Sequence, residues 1–234
     1  MDTNIPVSKN QVNSTILAIM AKEPKVGSTK TRLTPSLRSE EAAKLYEVLL
    51  WDTILMVSQI KEIDFAITVT PPESIDYFKR AAPTASRYIP VSCTKIGECL
   101  SFVLGQLLIE GYARVLALNS DGPTLPADYI RQAIQKLDHF DLVLGPAEDG
   151  GYYLIGYKEH HADLFEGISW STSNVFVQTL VKSKNIGLKV WLLPPWYDID
   201  TVKDLHRLRT DLESLPSDNL IHTREFLKRW PGIK

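Results

Sequence analysis

Short apolar segments alternate with amphipathic segments along most of this chain. Residues 15–20 (TILAIM), 65–69 (FAITV) and 113–118 (ARVLAL) are nearly continuous runs of apolar and β-branched residues. Such runs are expected for strands that are buried on both faces of a parallel sheet. Weaker strands are predicted around residue 88 and at residues 142–144, 152–155 and 190–193.

Between these strands, apolar residues recur at helical spacing. The clearest case starts at Ser39, which we expect to cap a helix with Glu40 and Glu41 in its first turn and apolar positions as far as Val57. Further helices are predicted at residues 73–81, 97–110, 126–137, 172–185 and 201–209. This alternation predicts one α/β domain over residues 14–234, a mostly parallel Rossmann-like sheet sandwiched by helices. A flexible polar tail is predicted at residues 1–13.

A basic loop follows the first strand and places Lys22, Lys25, Lys30 and Arg32 around Gly27. In open α/β sheets, ligands bind just past the carboxyl ends of the strands, where this loop lies. The loop is therefore either a site for a phosphate-bearing ligand or a solvated surface loop. It has neither the P-loop pattern nor the Rossmann G-x-G-x-x-G, which argues against P-loop kinases and dinucleotide oxidoreductases.

Three aspartates follow predicted strands. Asp121 comes directly after residues 113–118, where a carboxylate suits Mg²⁺ or Mn²⁺, although it could instead cap a turn. Asp198 and Asp200 flank Ile199, so their carboxylates project to the same side of an extended segment. The pair indicates metal binding or general-base chemistry, with helix capping by Asp200 beside Thr201 as the alternative.

A glycine-containing segment, Asp149-Gly150-Gly151, lies between two predicted strands. Asp-Gly between apolar runs is typical of a tight hairpin turn. The alternative is that the glycines bring backbone amides close to a sugar or phosphate, with Asp149 holding hydroxyl groups. Trp170, in the later segment WST, is either a buried indole at a helix start or part of a surface that contacts an acceptor.

Composition narrows the class of partner. The chain is 44% hydrophobic and 23% charged with a net charge of −2, so no overall field favours nucleic acid or anionic lipid. No segment reaches the length of a membrane span, and we expect a cytoplasmic location without membrane insertion. We expect Cys93 and Cys99 to be reduced thiols rather than a zinc site or a disulfide.

Five segments in order resemble one family: AKEPKVGSTKTRL, NSDGP, GPAEDGGYYLIG, FEGISWST and LPPWYDIDTVKDL. They are similar to bacterial glycosyltransferase-like proteins of the arsenosugar-biosynthesis and radical-SAM/selenodomain-associated types. These resemble the GT-A nucleotide-diphospho-sugar transferase superfamily, which also holds the molybdenum-cofactor and phospholactate guanylyltransferases. The resemblance covers roughly residues 15–209 and implies a single GT-A domain.

The resemblance also implies site residues. It assigns phosphate contacts to Lys22, Lys30 and Arg32, metal binding to Asp121 with Asp200 nearby, and the donor or acceptor pocket to Asp149, Gly150 and Gly151. Two positions depart from the family pattern. Asn119 stands where a D-x-D metal motif has its first aspartate, and Gly122 stands where the family usually has a larger residue, often cysteine.

The resulting hypothesis is Mg²⁺- or Mn²⁺-assisted transfer of a sugar from a nucleoside-diphosphate sugar to a small acceptor. Asp149 or Asp198 would orient or deprotonate the acceptor hydroxyl, and Lys30 and Arg32 would help neutralise the leaving diphosphate. One alternative is a nucleotidyltransferase that joins a nucleoside triphosphate to a phosphorylated small molecule and releases pyrophosphate. Another is a non-catalytic nucleotide-sugar-binding module. A homodimer, for example through aromatic residues such as Trp196, is also open.

Overall fold

The computed structural model describes residues 13–229, so the predicted tail, except for Asn13, lies outside the described residues. The strands form one sheet in the order β3-β2-β1-β4-β6-β5-β7. Their bounds are β1 (Thr15–Met20), β2 (Asp64–Val69), β3 (Arg87–Pro90), β4 (Arg114–Asn119), β5 (Leu142–Pro146), β6 (Tyr152–Tyr157) and β7 (Val190–Leu192).

Helices cover both faces of this sheet. Their bounds are α1 (Ser39–Ser58), α2 (Ile75–Ala81), α3 (Ile96–Ile109), α4 (Ala127–Lys136), α5 (Val175–Asn185), α6 (Val202–Ser214) and α7 (Ile221–Arg229). Single 3₁₀ turns lie at Thr31–Leu33, Pro72–Ser74 and Ala162–Phe165. Within the described residues, no helix has the length and apolar character needed to cross a membrane.

Strand pairing confirms the mostly parallel sheet. Strand β1 is parallel to β2 and β4, β2 to β3, and β5 to β7, whereas β6 is antiparallel to both β4 and β5. Successive side chains of β1 enter opposite cores: Leu17 and Ile19 pack with α1, and Ile16 and Ala18 pack with α3. Burial on both faces explains why this strand is a continuous apolar run.

Several helix boundaries differ from the predicted ones. Helix α1 begins at Ser39, but its cap is Arg38, whose backbone N–H donates to the Glu41 carboxylate at 2.9 Å. Helix α5 begins at Val175 rather than at residue 172, because residues 170–174 form a loop. Helix α6 has the predicted capping box between Thr201 and Asp204 and runs on to Ser214, and α7 was not predicted.

Two further expectations are wrong. Cys93 and Cys99 form a disulfide with a Cα–Cα distance of 5.5 Å, because the loop after β3 turns back over the first turn of α3. The homodimer itself stays a prediction, but Trp196 is half-buried rather than exposed. Its ring packs on Tyr129, and its indole N–H donates to Thr124 Oγ1 at 3.1 Å.

Candidate functional site

A pocket of about 550 Å³ opens at the carboxyl ends of β1 and β4, next to the start of β6. Its lining includes eight of the predicted site residues: Lys22, Lys30, Arg32, Asp121, Asp149, Gly151, Trp170 and Asp200. Gly27, Gly150 and Asp198 do not line it. The carboxyl edge of the sheet therefore brings together residues from widely separated segments, as the strand-end rule predicts.

One side of the pocket, which we call the charged wall, consists of Lys22, Lys30, Arg32, Asp121 and Asp200. The buried Lys30 ammonium lies 3.1 Å from Asp121 Oδ2 and 2.8 Å from Asp200 Oδ1. Burial alone would lower the pKa of Lys30, but the charges of Asp121 and Asp200 outweigh it and the pKa is raised. Burial likewise opposes ionisation of Asp200, yet Lys30 holds its pKa below the usual value. Lys30 and Asp200 therefore stay charged near neutral pH.

The backbone of the basic loop sets the position of Lys30. Gly27 and Lys30 both have positive φ angles, 80° and 50°. The Thr29 hydroxyl accepts the Lys25 N–H at 2.9 Å, and Leu33 is fully buried at the end of the 3₁₀ turn. Gly27 thus shapes the loop rather than facing the pocket. An alanine there would meet no neighbouring atom within 4 Å, so the constraint is the backbone angle.

Lys22 and Arg32 are the exposed cations of the charged wall. Among the described residues, Arg32 makes one long ionic contact, 3.5 Å from its Nη1 to Asp200 Oδ2. Within the described part of the chain, the Lys22 ammonium has no ion pair, although its charge contributes to lowering the pKa of Asp200. The Lys22 backbone is fixed because its N–H donates to the Tyr46 hydroxyl at 3.2 Å. Lys22 is thus the cation of this wall most available to a ligand.

Asp198 lies behind the charged wall. Its Oδ1 accepts a hydrogen bond from Asn119 Nδ2 at 2.7 Å. Burial, reinforced by the negative charge of Asp121, raises the pKa of Asp198 to about 7. Space here is limited, because a Cβ on Gly122 would lie 3.1 Å from the Tyr197 carbonyl oxygen and 3.2 Å from Asp198 Oδ1. This packing explains why a small residue stands at position 122.

The carboxylates of the charged wall fit a divalent ion in part. Among the residues that the structure describes, no cluster of three or more His, Cys, Asp or Glu side chains could hold a metal by itself. Asp121 and Asp200 nevertheless present hard oxygen ligands to the pocket, and Mg²⁺ is commonly held by one or two carboxylates together with substrate phosphates. They therefore fit a cation that a bound phosphate helps to hold. Metal binding stays a prediction.

The segment Asp149-Gly150-Gly151 is the predicted hairpin turn between β5 and β6. The Ala147 N–H donates to the Gly151 carbonyl at 3.0 Å, and Gly150 has a φ of 91°. A Cβ on Gly150 would lie 2.1 Å from the Ser173 carbonyl oxygen, so only glycine fits. Asp149 lines the pocket, with its Oδ1 accepting the Gly151 N–H at 2.9 Å. The turn therefore also places a carboxylate in the pocket.

A second part of the pocket lining, which we call the uncharged wall, consists of Ile96, Leu100 and residues 170–173. The Trp170 ring stacks on Phe165 with centroids 6.5 Å apart. It also rests on α3, since a Cβ on Gly97 would lie 2.6 Å from the indole. Sequence reasoning missed Ile96 and Leu100. The sequence did predict an amphipathic helix that begins shortly after a strand ends. Helical spacing alone, however, does not indicate which residues of that helix face the pocket.

Comparison with known proteins identifies transferase relatives. A 2-phospho-L-lactate guanylyltransferase from Methanocaldococcus vulcanius is 24% identical over 208 residues, which cover 87% of this chain and 86% of the relative. A solved structure from Desulfovibrio desulfuricans G20, described as a "putative nucleotide-diphospho-sugar transferase", is 28% identical. It matches with a TM-score of 0.84 over 93% of this chain and 98% of its own.

A third match shows the fold alone. The 4-diphosphocytidyl-2C-methyl-D-erythritol synthase from Anaerococcus prevotii DSM 20548 is 14% identical, with a TM-score of 0.58 over 85% of this chain and 96% of its own. The predicted α/β fold of the nucleotide-diphospho-sugar transferases is therefore confirmed, and the relatives are transferases.

The family model described as an uncharacterised protein conserved in bacteria (DUF2064) matches residues 53–172, half of the chain, and the protein belongs to this family.

Proposed function

We propose that this protein transfers a sugar from a nucleoside-diphosphate sugar to a small acceptor with the assistance of a divalent cation. The observation that carries the proposal is the charged wall, where three cationic side chains and two carboxylates line one pocket at the carboxyl edge of the sheet. The similarity to the Desulfovibrio protein over nearly the whole chain supports the same class of reaction.

In this proposal the donor diphosphate lies against the charged wall. Lys22 and Arg32 are exposed and free to contact phosphate oxygens, while Lys30 supplies a fixed positive charge behind them. Asp121 and Asp200 would hold Mg²⁺ or Mn²⁺, which neutralises charge on the leaving diphosphate when it is bound. Charges that are already in place lower the barrier because little reorganisation is needed during the reaction.

Asp149 is the candidate base for the acceptor. Its Oδ1 is held by the Gly151 N–H, and no hydrogen bond to its Oδ2 occurs among the described residues, which leaves this oxygen for a hydroxyl group. In the reaction, the acceptor oxygen bonds to the anomeric carbon as the bond to the diphosphate oxygen breaks. The hydroxyl proton passes to Asp149, and the electron pair leaves with the nucleoside diphosphate. Asp198, behind Asp121, is a second candidate for this proton.

A nucleotidyltransferase is the second candidate function. The guanylyltransferase relative, which covers 87% of this chain, favours it. A triphosphate would use the same charged wall, and pyrophosphate would leave in place of a nucleoside diphosphate. The two reactions therefore share their phosphate contacts and differ in the group that is transferred.

The finer assignments also stay proposals. Resemblance of the five sequence motifs supports the arsenosugar-biosynthesis or radical-SAM/selenodomain-associated type, and composition supports a cytoplasmic enzyme without nucleic-acid partners. A homodimer and a non-catalytic binding module are additional hypotheses. Turnover of any donor by the purified protein excludes the binding module.

The experiment is a product screen by mass spectrometry. The protein is incubated with pooled nucleotide sugars, Mg²⁺ or Mn²⁺ and mixed acceptors, and in parallel with nucleoside triphosphates and an assay for pyrophosphate. We expect release of one nucleoside diphosphate, reduced by about a hundredfold or more in Asp121→Asn because a charge-stabilising group is lost. Asp128→Asn, at an exposed carboxylate of α4, is the matched control.

Three outcomes would change the proposal. Pyrophosphate release from a triphosphate, without release of a nucleoside diphosphate, would replace it with the second candidate. Unchanged turnover by Asp121→Asn would reject the role of Asp121. Binding of a nucleotide sugar with no turnover under any of these conditions would favour the non-catalytic module.

A further inference from the structure

The cations of the pocket all lie on one side. Lys22, Lys30 and Arg32 come from the loop after β1, and the described part of the uncharged wall contributes no cationic side chain. The lysine nearest to this wall in the chain, Lys95, does not line the pocket, and its ammonium pairs with Glu98 at 3.0 Å. Phosphate binding is therefore confined to the charged wall.

Charge balance limits how many phosphate groups the pocket accepts. In the charged wall, three cationic side chains face two carboxylates, Asp121 and Asp200, and the third lining carboxylate, Asp149, lies apart in the turn between β5 and β6. A bound Mg²⁺ would add to the positive charge of the charged wall. A donor diphosphate takes up the positive charge that remains near Lys22 and Arg32. A second phosphate, on the acceptor, would lie towards Asp149, which has no ion pair among the described residues, so the two negative charges would repel each other without a cation between them.

We propose that the acceptor is an uncharged molecule that carries hydroxyl groups and an apolar face, and that it binds on the uncharged wall. This inference rests on the proposed function and names the class of its second substrate. Of the two candidate reactions it favours glycosyl transfer, since the nucleotidyl alternative requires a phosphorylated acceptor.

The shape and polarity of the uncharged wall match such a molecule. Ile96 is 49% exposed and the Trp170 ring is held in place by Phe165, so together they offer a fixed apolar surface. The hydroxyl groups of Ser171 and Ser173 lie beside that surface. Within the described residues these two exposed hydroxyls have no hydrogen-bond partner, so both are available to acceptor hydroxyls.

The test compares acceptors that differ only in one phosphate group. The pairs are glycerol and glycerol 3-phosphate, glucose and glucose 6-phosphate, and phenyl glucoside and its 6-phosphate. Each is added to the full-length protein with pooled nucleotide sugars, and separately with nucleoside triphosphates, in Mg²⁺. Product formation is measured by mass spectrometry. We expect the neutral member of a pair to react at least about tenfold faster, with phenyl glucoside the best acceptor because of its apolar ring.

A substitution within the wall sharpens the test. Ile96→Lys places a cation in the uncharged wall, and we expect it to reduce transfer to the neutral acceptor and to raise transfer to its phosphate ester. Ile109→Lys is the matched control, because Ile109 is 89% exposed on the same helix and does not line the pocket.

The outcomes separate the inference from the proposed function. Faster transfer to phosphate esters than to neutral acceptors, with either kind of donor, overturns the inference. Nucleotide-sugar hydrolysis that no neutral acceptor accelerates overturns it as well, while the proposed donor chemistry stands. Pyrophosphate release as the only activity overturns the proposed function itself. The inference and the proposed function are both supported if the protein prefers neutral acceptors, if Ile96→Lys reverses this preference, and if Ile109→Lys leaves it unchanged.

Discussion

The charged wall and the uncharged wall of the pocket are held in place by different forces. Lys30 and Asp200, 170 residues apart in the chain, are joined by an ion pair at 2.8 Å. By contrast, Trp170 is fixed by ring stacking and by close packing on Gly97. The side chains of the charged wall are held by ion pairs, and a bound phosphate or metal ion changes these ion pairs directly. The side chains of the uncharged wall are held by packing, which a substrate changes only by touching them.

This difference predicts that substitutions will separate the two binding functions. A change to the ion-paired residues of the charged wall, Lys30, Asp121 and Asp200, should affect nucleotide binding and stability together, because the same ion pairs serve both. A change in the uncharged wall should affect the acceptor and leave nucleotide binding intact. Four substitutions differ in the expected change in the free energy of unfolding, which is largest for Lys30→Met and smallest for Gly97→Ala.

Lys30→Met should have the largest effect. It removes the ammonium between Asp121 and Asp200 and leaves two partly buried carboxylates facing each other. Because each carboxylate is still about a third exposed, we expect the free energy of unfolding to fall by about 2–4 kcal/mol, less than for a fully buried pair. Nucleoside diphosphate binding should fall as well. Lys25→Met is the control, and equal urea midpoints for the two variants would contradict this role of Lys30.

Cys93→Ser should lower the free energy of unfolding by about 2 kcal/mol in non-reducing buffer, the value expected for a short cross-linked loop. The disulfide joins the loop before α3 to its first turn, which carries Ile96. Acceptor kinetics should therefore change and nucleoside diphosphate affinity should not. Thermal unfolding with and without a reductant checks the same point in the unmodified protein. If the reductant leaves its midpoint unchanged, the disulfide does not stabilise this wall.

Asn119→Asp restores the first aspartate of a D-x-D motif. The new carboxylate would face Asp198 and would replace the Asn119 amide, which donates a hydrogen bond to Asp198 Oδ1 at 2.7 Å. In EDTA we expect a loss of about 1–2 kcal/mol in the free energy of unfolding from like-charge repulsion and the lost hydrogen bond. Mn²⁺ should raise the midpoint of this variant more than that of the unmodified protein, since binding to the folded state stabilises it. Asn219→Asp, at an exposed loop position, is the control, and equal Mn²⁺ responses would reject metal binding near Asn119.

Gly97→Ala should have the smallest effect on stability. Its Cβ would lie 2.6 Å from the Trp170 indole and displace the ring. The strain is partly offset by the better helix propensity of alanine, so we expect a net loss of about 1 kcal/mol. The KM for the neutral acceptor should rise while donor hydrolysis is unchanged. Gly105→Ala, on the same helix and away from the pocket, serves for comparison. An unaltered acceptor KM would show that Trp170 does not contact the acceptor.

Much of the fold could be predicted from local patterns. Apolar runs located β1 and β2, and the strand-end rule placed Lys30, Asp121 and Asp200 at one edge, because that rule depends only on the direction of parallel strands. The resemblance to a known family indicated which carboxylates to assign to metal binding, namely Asp121 and Asp200. Helix α7 was missed because residues 221–229 are mostly polar, with Ile221, Phe226 and Leu227 as their apolar residues.

What could not be predicted depends on contacts between distant segments. The sequence places Lys30 in a basic loop, but its pairing with Asp121 and Asp200 follows from the sheet order. The contribution of Ile96 to the pocket depends on how α3 is rotated against the sheet, and helical periodicity does not fix that rotation relative to a ligand. Pairing of Cys93 with Cys99 depends on the path of a short loop.

The central claim is that the charged wall binds the diphosphate of an activated donor, and calorimetric titration of nucleoside diphosphates in Mg²⁺ tests it most directly. Lys22 lines the pocket and has no ion pair among the described residues, so Lys22→Met should leave the fold intact. We predict that at least one nucleoside diphosphate binds the unmodified protein and that Lys22→Met weakens this binding about tenfold. Lys25→Met should leave it unchanged. Equal affinity in all three proteins, or no binding to any of them, would contradict the claim.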